Sequence, residues 1–168
     1  MVRRGFEDIQ MTSEEIDEFL QVPRYGALAT VKSGERPHID PVGFNYLDGK
    51  IYFSCEETRV LVKRMKNNPN GFFSVFDDSP PASAAVQLEG PMRIVEDPDN
   101  EISKSIIRRH AAENLGAEFD KFVHSWLGNG KRQFKRVVIE LTPTRVFAWN
   151  NRKTAAARRR LNAGQAAR

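Results

Sequence analysis

The chain has 168 residues, with 26 basic and 22 acidic side chains, a net charge of +4, 40% hydrophobic residues and one cysteine. That length holds one domain with a real core, and the lone cysteine excludes an intrachain disulfide and a cysteine metal framework. The small charge excess is no argument for nucleic acid. No apolar run is long enough to span a bilayer, and Arg3-Arg4 is not followed by the apolar stretch of a signal peptide. The expected setting is the reducing cytoplasm.

Residues 1–11 read as a loose arm. Thr12 and Glu15 fit a capping box that opens a helix. Ile16, Phe19 and Leu20 fall on one face of it, and Pro23 ends it. Two hairpins are expected next: Tyr25–Val31, a turn at Ser33-Gly34, His38–Tyr46, a turn at Asp48-Gly49, and Ile51–Ser54. Asp-Gly between apolar runs signals a type I′ turn, which needs positive φ at both central positions. Pro41 lacks an N–H and suits an edge or a bulge.

The period then changes. Arg59, Lys63 and Lys66 share one helical face, while Leu61 and Met65 share another, expected to be buried. Thr58 is a candidate N-cap. Free N–H groups, the helix dipole and the charge of Arg59 make this start a candidate phosphate seat. A solvated basic face is the plainer reading of the same residues.

Strands are expected at Phe72–Phe76 and Ala84–Val95, joined by the polar loop Asp77–Pro81, with Gly90-Pro91 breaking or bulging the second. Asp97-Pro98 is expected to start a helix carrying Ile102, Ile106, Ile107 and Ala111, followed by Gly116 as C-cap. A second helix carries Phe119, Phe122, Val123, Trp126 and Leu127 and ends at Gly128-Asn129-Gly130. The last strand spans Phe134–Trp149, interrupted at Thr142-Pro143-Thr144. The tail, 151–168, is basic with no acid; it reads as a solvated tail or as a contact for an anionic partner.

Among titratable groups, His38 reads as a proton donor, a substrate contact or a plain strand residue. Cys55 has no sequence-adjacent base to activate it. His110 and His124 lack paired ligand spacing. No P-loop, dinucleotide-binding glycine motif or nucleophile elbow occurs.

The ordered set YGALATV, P-H-x-x-P-V-G-F, D-G-K-I-Y-F-S and R-x-x-x-K-R-M-K-N-N-P continues through Gly71–Phe76, Val86–Gly90 and Val137–Trp149. Over roughly residues 12–150 it resembles the pyridoxamine 5′-phosphate oxidase-like split-barrel family. The resemblance implies an α+β fold, mainly β: a six-stranded antiparallel split barrel with peripheral helices. It also implies a homodimer holding FMN, or the deazaflavin F420, at the subunit interface. Asp40, Pro41 and Val42 would lie beside the flavin ring and contact it through backbone. Ser54 and Thr58 would add hydrogen bonds, and Arg59 and Lys63 would hold phosphate. Gln87 would meet the ring's polar edge across the dimer or serve only the surface. Trp149 would line the ring pocket or the interface.

One position departs from the pattern. Many relatives carry a lysine eight residues before the Asn-Pro proline, where this chain has Leu61. Either Arg59 and Lys63 supply the charge, or phosphate binding is weakened, altered or lost. The expected function is a flavin-dependent oxidoreductase acting on a small organic substrate. An F420-dependent reductase is one alternative, and a non-enzymatic haem- or ligand-binding barrel is the other.

Overall fold

A computed structural model describes residues 8–32, 36–115, 118–127, 135–154 and 159. Its frame is an antiparallel sheet of β1 (Tyr25–Val31), β2 (Pro37–Gly43), β3 (Asn45–Leu47), β4 (Lys50–Glu56), β5 (Asn70–Asp77), β6 (Ala84–Val95), β7 (Arg136–Leu141) and β8 (Arg145–Asn150). The spatial order is β2-β1-β5-β6-β7-β4-β3, with β8 also on β6. The sheet curls into a half-barrel because alternate residues turn inward, as Leu28 on β1, Phe73 and Val75 on β5, and Phe53 on β4 do.

β6 joins the two halves. Up to Pro91 it pairs with β5, up to Glu89 also with β8, and from Met92 it pairs with β7. The expected break at Gly90-Pro91 is therefore a change of partners within one continuous strand. A Cβ on Gly90 would lie 2.0 Å from the Thr142 carbonyl oxygen, so the crossing is open only to glycine.

The described residues hold eight strands rather than six, because two expected strands each divide. The second divides at Phe44, whose backbone N and O both lie 3.0 Å from His110 Nε2, a ring nitrogen that bonds one of them at a time. The last divides at Thr142–Thr144, where Thr142 N–H donates to Pro91 O and Thr144 N–H to Glu89 O. The Asp48-Gly49 turn has the positive φ values expected of it, 50° and 74°.

Among the described residues four helices flank the sheet: α1 (Ser13–Gln21), α2 (Val60–Asn67), α3 (Glu101–Leu115) and α4 (Phe119–Leu127). α1 opens with the Thr12–Glu15 capping box and buries Phe19 and Leu20. α2 buries Leu61, Val62 and Met65. Thr58 does not cap it: Arg59 holds the N-cap position, without a side-chain bond. α3 starts at Glu101, later than Pro98, and the Asp97 carboxylate instead accepts the N–H groups of Ile102 and Ser103.

Ile9–Met11 run beside β8, with Asn150 N–H donating to Ile9 O and Met11 N–H to Ala148 O. After β8, a 3-10 turn at Asn151–Lys153 is fastened by Arg152 to Asp77 and by Lys153 to Glu15. Ser33-Gly34, Gly116, Gly128-Asn129-Gly130, Phe134, and residues 1–7, 155–158 and 160–168 lie outside the described residues. No described helix is long and apolar enough to cross a membrane.

Candidate functional site

The charged face of α2 meets the sheet at β1 and β2. Arg64 donates from Nη1 to Asp40 Oδ2 at 3.2 Å and to Thr30 Oγ1 at 3.4 Å. His38, two residues before Asp40 on β2, places Nε2 3.3 Å from Asp40 Oδ1. Asp40 is thus pinned from both sides. Arg64 is only 10% exposed at its side chain, and its buried Nε has no hydrogen-bond partner. A guanidinium carries five donors, and protein acceptors take up only Nη1 here.

Lys63 and Arg64 line a cavity of about 460 Å³ with Val31, Lys32, Val60 and Asn67. Arg59 is exposed at the head of the helix, and Thr58 stands in the turn before it. Leu61 packs in the core at 7% exposure. Arg59 precedes it at the N-cap, and Lys63 and Arg64 follow it on α2. Sequence reasoning singled out Lys63 and passed over Arg64. The available signal was helical spacing: Arg64 follows Leu61 by three, which places it beside the buried face.

β2 ends the sheet, and its far edge pairs with no strand among the described residues. Asp40, Pro41 and Val42 all lie on this edge strand. Val42 packs against the core, while Pro41 is exposed. Pro41, Ala27, Ser74, Gln87 and Phe147 are successive register partners across β2, β1, β5, β6 and β8. Gln87 therefore shares an outer sheet face with Pro41 but stands three strands away, about 14 Å by strand spacing. Gln87 lines a groove of about 620 Å³ with Phe72, Glu89, Arg145 and Phe147. Trp149 lies on the same strand as Phe147 and meets Phe76 edge-on, with ring centroids 6.3 Å apart.

Ser54 belongs to the other half of the sheet. Its Oγ accepts from Arg136 Nε at 3.3 Å and its carbonyl from Arg136 Nη2 at 2.9 Å. The same guanidinium stacks on Trp126 of α4, 3.3 Å from the ring centroid. Arg136 and Leu127 also line a cavity of about 670 Å³ with Asp97, Asn100 and Ser103 at the start of α3. The two helices thus cover one end of the sheet and form a chamber there. Sequence spacing could not show Arg136, whose partners come from β4 and α4.

Cys55, Glu140 and His110 are each shifted towards one protonation form. Burial pushes the Cys55 thiol up to about 11, so it is protonated at neutral pH and a poor nucleophile. Glu140 is 3% exposed and bonded to Arg93, Tyr52, Lys50 and Thr142; the Arg93 bond leads in holding its carboxyl down at about 2. Burial lowers His110 from its ordinary value, which favours the neutral ring that binds Phe44. Among the described residues no group of His, Cys, Asp and Glu is placed to hold a metal ion.

A family model for pyridoxamine 5′-phosphate oxidase matches residues 12–150. The chain belongs to this family. Curated protein sequences gave no significant match. Among solved structures, a conserved hypothetical protein of Mycobacterium tuberculosis superposes with TM-score 0.75 at 24% identity, covering 91% of this chain and 92% of that one. A FAD-binding protein of Mesorhizobium loti gives 0.58 at 19% identity, over 83% and 93%. A protein described as an F420 reductase gives 0.56 at 23% identity, over 86% and 98%. At these identities the likeness establishes the shared split-barrel fold.

The residues present fit the anionic part of a flavin-type cofactor. Arg59, Lys63 and Arg64 put three cations on one short helix, and Arg64 has spare donors. The adjoining edge of β2 offers backbone groups that no neighbouring strand uses.

Proposed function

We propose that this protein is a flavin-dependent oxidoreductase of the cytoplasm that holds FMN between two copies of the chain and exchanges electrons or hydride with a small organic substrate. The observation that carries this reading is the junction of α2 with β2. A cationic helix there adjoins an open strand edge, joined through Arg64 and Asp40. Family membership supplies the prior, and the site must carry the rest.

In this reading Arg59 and Lys63 hold the cofactor phosphate, and Thr58 and Ser54 add hydrogen bonds. The backbone of Asp40, Pro41 and Val42 contacts the ring. Gln87 and Trp149 act from the second copy, since within one chain Gln87 stands three strands from Pro41. Pairing of two copies is supported by the outer face, where Ile39, Phe72 and Phe76 are 63%, 40% and 56% exposed. The cofactor supplies the redox chemistry, and the chain binds it, orients it and limits access to it. The chamber beneath α3 and α4 is the proposed substrate side.

F420 is the second reading, favoured by the cavity below Lys63, where Lys32 and Arg64 add charge suited to a longer acidic tail. The test is titration of the purified protein with FMN and with F420, each repeated on Arg59→Ala and Lys63→Ala. FMN binding weakened about tenfold by each substitution supports the proposal. Binding of F420 alone moves the protein to deazaflavin chemistry. If neither binds, the oxidoreductase reading fails, and a haem titration tests the ligand-binding alternative.

A further inference from the structure

We infer that the chamber beneath α3 and α4 takes a small molecule with an amino-acid head, an ammonium beside a carboxylate, on an apolar body. None of the residues proposed to hold the flavin lines it. That such a molecule is the substrate rests on the proposed oxidoreductase function; the binding site itself does not.

Three observations carry it. The first is the layout of charge. β6 and β7 run antiparallel, with Val95 opposite Val138, so the chain leaves β6 at the end of the sheet where it enters β7. Glu96 and Asp97 follow the one, Lys135 and Arg136 open the other, and all four line the chamber. Among the described residues Glu96 and Lys135 have no ion-pair partner. A plain acid would meet the two carboxylates, and a plain amine the two cations. A head carrying both charges meets each with its opposite.

The second is that one group of each sign is held in place. The Asp97 carboxylate accepts the N–H groups of Ile102 and Ser103, which use two of its four lone-pair sites. Arg136 is held between Ser54 and the face of Trp126.

The third is Ser103. It is 2% exposed, and among the described residues its hydroxyl has no hydrogen-bond partner. The hydroxyl is not sealed off as the Nε atoms of Arg64 and Arg109 are, so its remaining surface opens on the chamber it lines. A hydroxyl so nearly buried and left unpaired is costly, and the polar head of a ligand supplies its partner. Val95, Val137, Val138 and Leu127 form the apolar wall, and about 670 Å³ admits a molecule of amino-acid size.

The experiment is calorimetric titration of the purified protein at pH 7 with leucine, N-acetylleucine and leucinamide. These carry both charges, the carboxylate alone and the ammonium alone. Leucine is expected to bind at least about tenfold more tightly than either derivative. Ser103→Ala is expected to weaken leucine binding about fivefold. Glu96→Gln should weaken leucine but not N-acetylleucine, and Lys135→Gln should weaken leucine but not leucinamide. Glu96 and Lys135 are exposed, so these two variants read binding without a folding defect. A merely structural role for them predicts losses that ignore which charge the ligand carries.

Absence of leucine binding, or binding of either derivative as tightly as leucine, overturns the inference. So does leucine binding unchanged in all three variants. A parallel titration with FMN separates this result from the flavin reading. Leucine binding in a protein that binds no flavin upholds the site and removes only its role as a substrate pocket. Flavin binding without leucine binding overturns the site and leaves the oxidoreductase reading standing.

Discussion

Arg64 of α2 and Asp40 of β2 are 24 residues apart in sequence and 3.2 Å apart in space, and their bond fastens the helix to the edge strand. It joins the part of the chain rich in positive charge to the part with open backbone. A double-mutant cycle of Arg64→Ala and Asp40→Ala, read by urea denaturation, is expected to give a coupling of about 1 kcal/mol. A coupling near zero would mean that α2 is held by Leu61, Val62 and Met65 alone.

Gly90 should resist every side chain. Alanine there would place its Cβ against the Thr142 carbonyl, which is tied through Thr142 N–H to Pro91 O. The Gly90→Ala variant is expected to lose about 2 kcal/mol of stability or more, since backbone must shift to make room. Thermal melting checks this, and a variant as stable as the parent would sink the account of the crossing.

Glu140 predicts an acid dependence. Its carboxyl is held down at about 2 by Arg93, with Tyr52, Lys50 and Thr142 assisting. A depressed carboxylate contributes stability that is present above the ordinary value of 4.5 and lost as pH falls towards 2. Glu140→Gln is therefore expected to be less stable by about 2 kcal/mol at pH 7. The gap between the two proteins should narrow steadily below pH 4.5. Denaturant titrations across that range measure it.

His110 predicts a second, milder dependence. Its folded value lies below the ordinary 6.5, chiefly through burial. The unfolded chain thus binds the proton more readily, and the contribution of this ring is full above 6.5 and declines as pH falls below it. Stability measured at pH 7.5 and 5.5 should differ less in His110→Gln than in the parent. Equal differences would mean that the ring at Phe44 does not titrate with folding.

The outer face predicts association. Sedimentation of the parent should report a dimer, and Phe76→Asp together with Ile39→Asp should report a monomer of unchanged secondary structure. A parent that sediments as a monomer at all concentrations would remove the two-copy site, with Gln87 and Trp149 as its far wall.

Much of the frame is legible in local sequence. Thr12 and Glu15 make the capping box their spacing implies, Asp48-Gly49 adopts the positive φ of its turn, and Leu61 and Met65 bury the predicted face. Each rests on neighbours within a few positions. What escaped depends on distant partners. Phe44 leaves its strand where His110, 66 residues later, bonds its backbone through one ring nitrogen. Glu140 alternates with apolar neighbours like a surface residue, yet it is buried because Arg93, Lys50 and Tyr52 converge on it. Arg64 looks like one more cation in a basic helix until Asp40 arrives beside it. Charge pattern shows which residues are ionic, and only the folded path shows which are paired.

The edge strand β2 carries one more consequence. A proline costs a sheet no ladder bond when its nitrogen faces the open side, and residues two or four apart on a strand face the same side. Pro37 and Pro41 are such a pair on β2, with Ile39 between them. The exposed border is thus short of two rungs that an incoming strand would need. It can still offer single hydrogen bonds to a small molecule, but it is a poor template for another polypeptide. The two prolines therefore guard this margin against strand-to-strand aggregation. Restoring both rungs, as in Pro37→Thr with Pro41→Thr, should leave a protein that folds but clumps on standing.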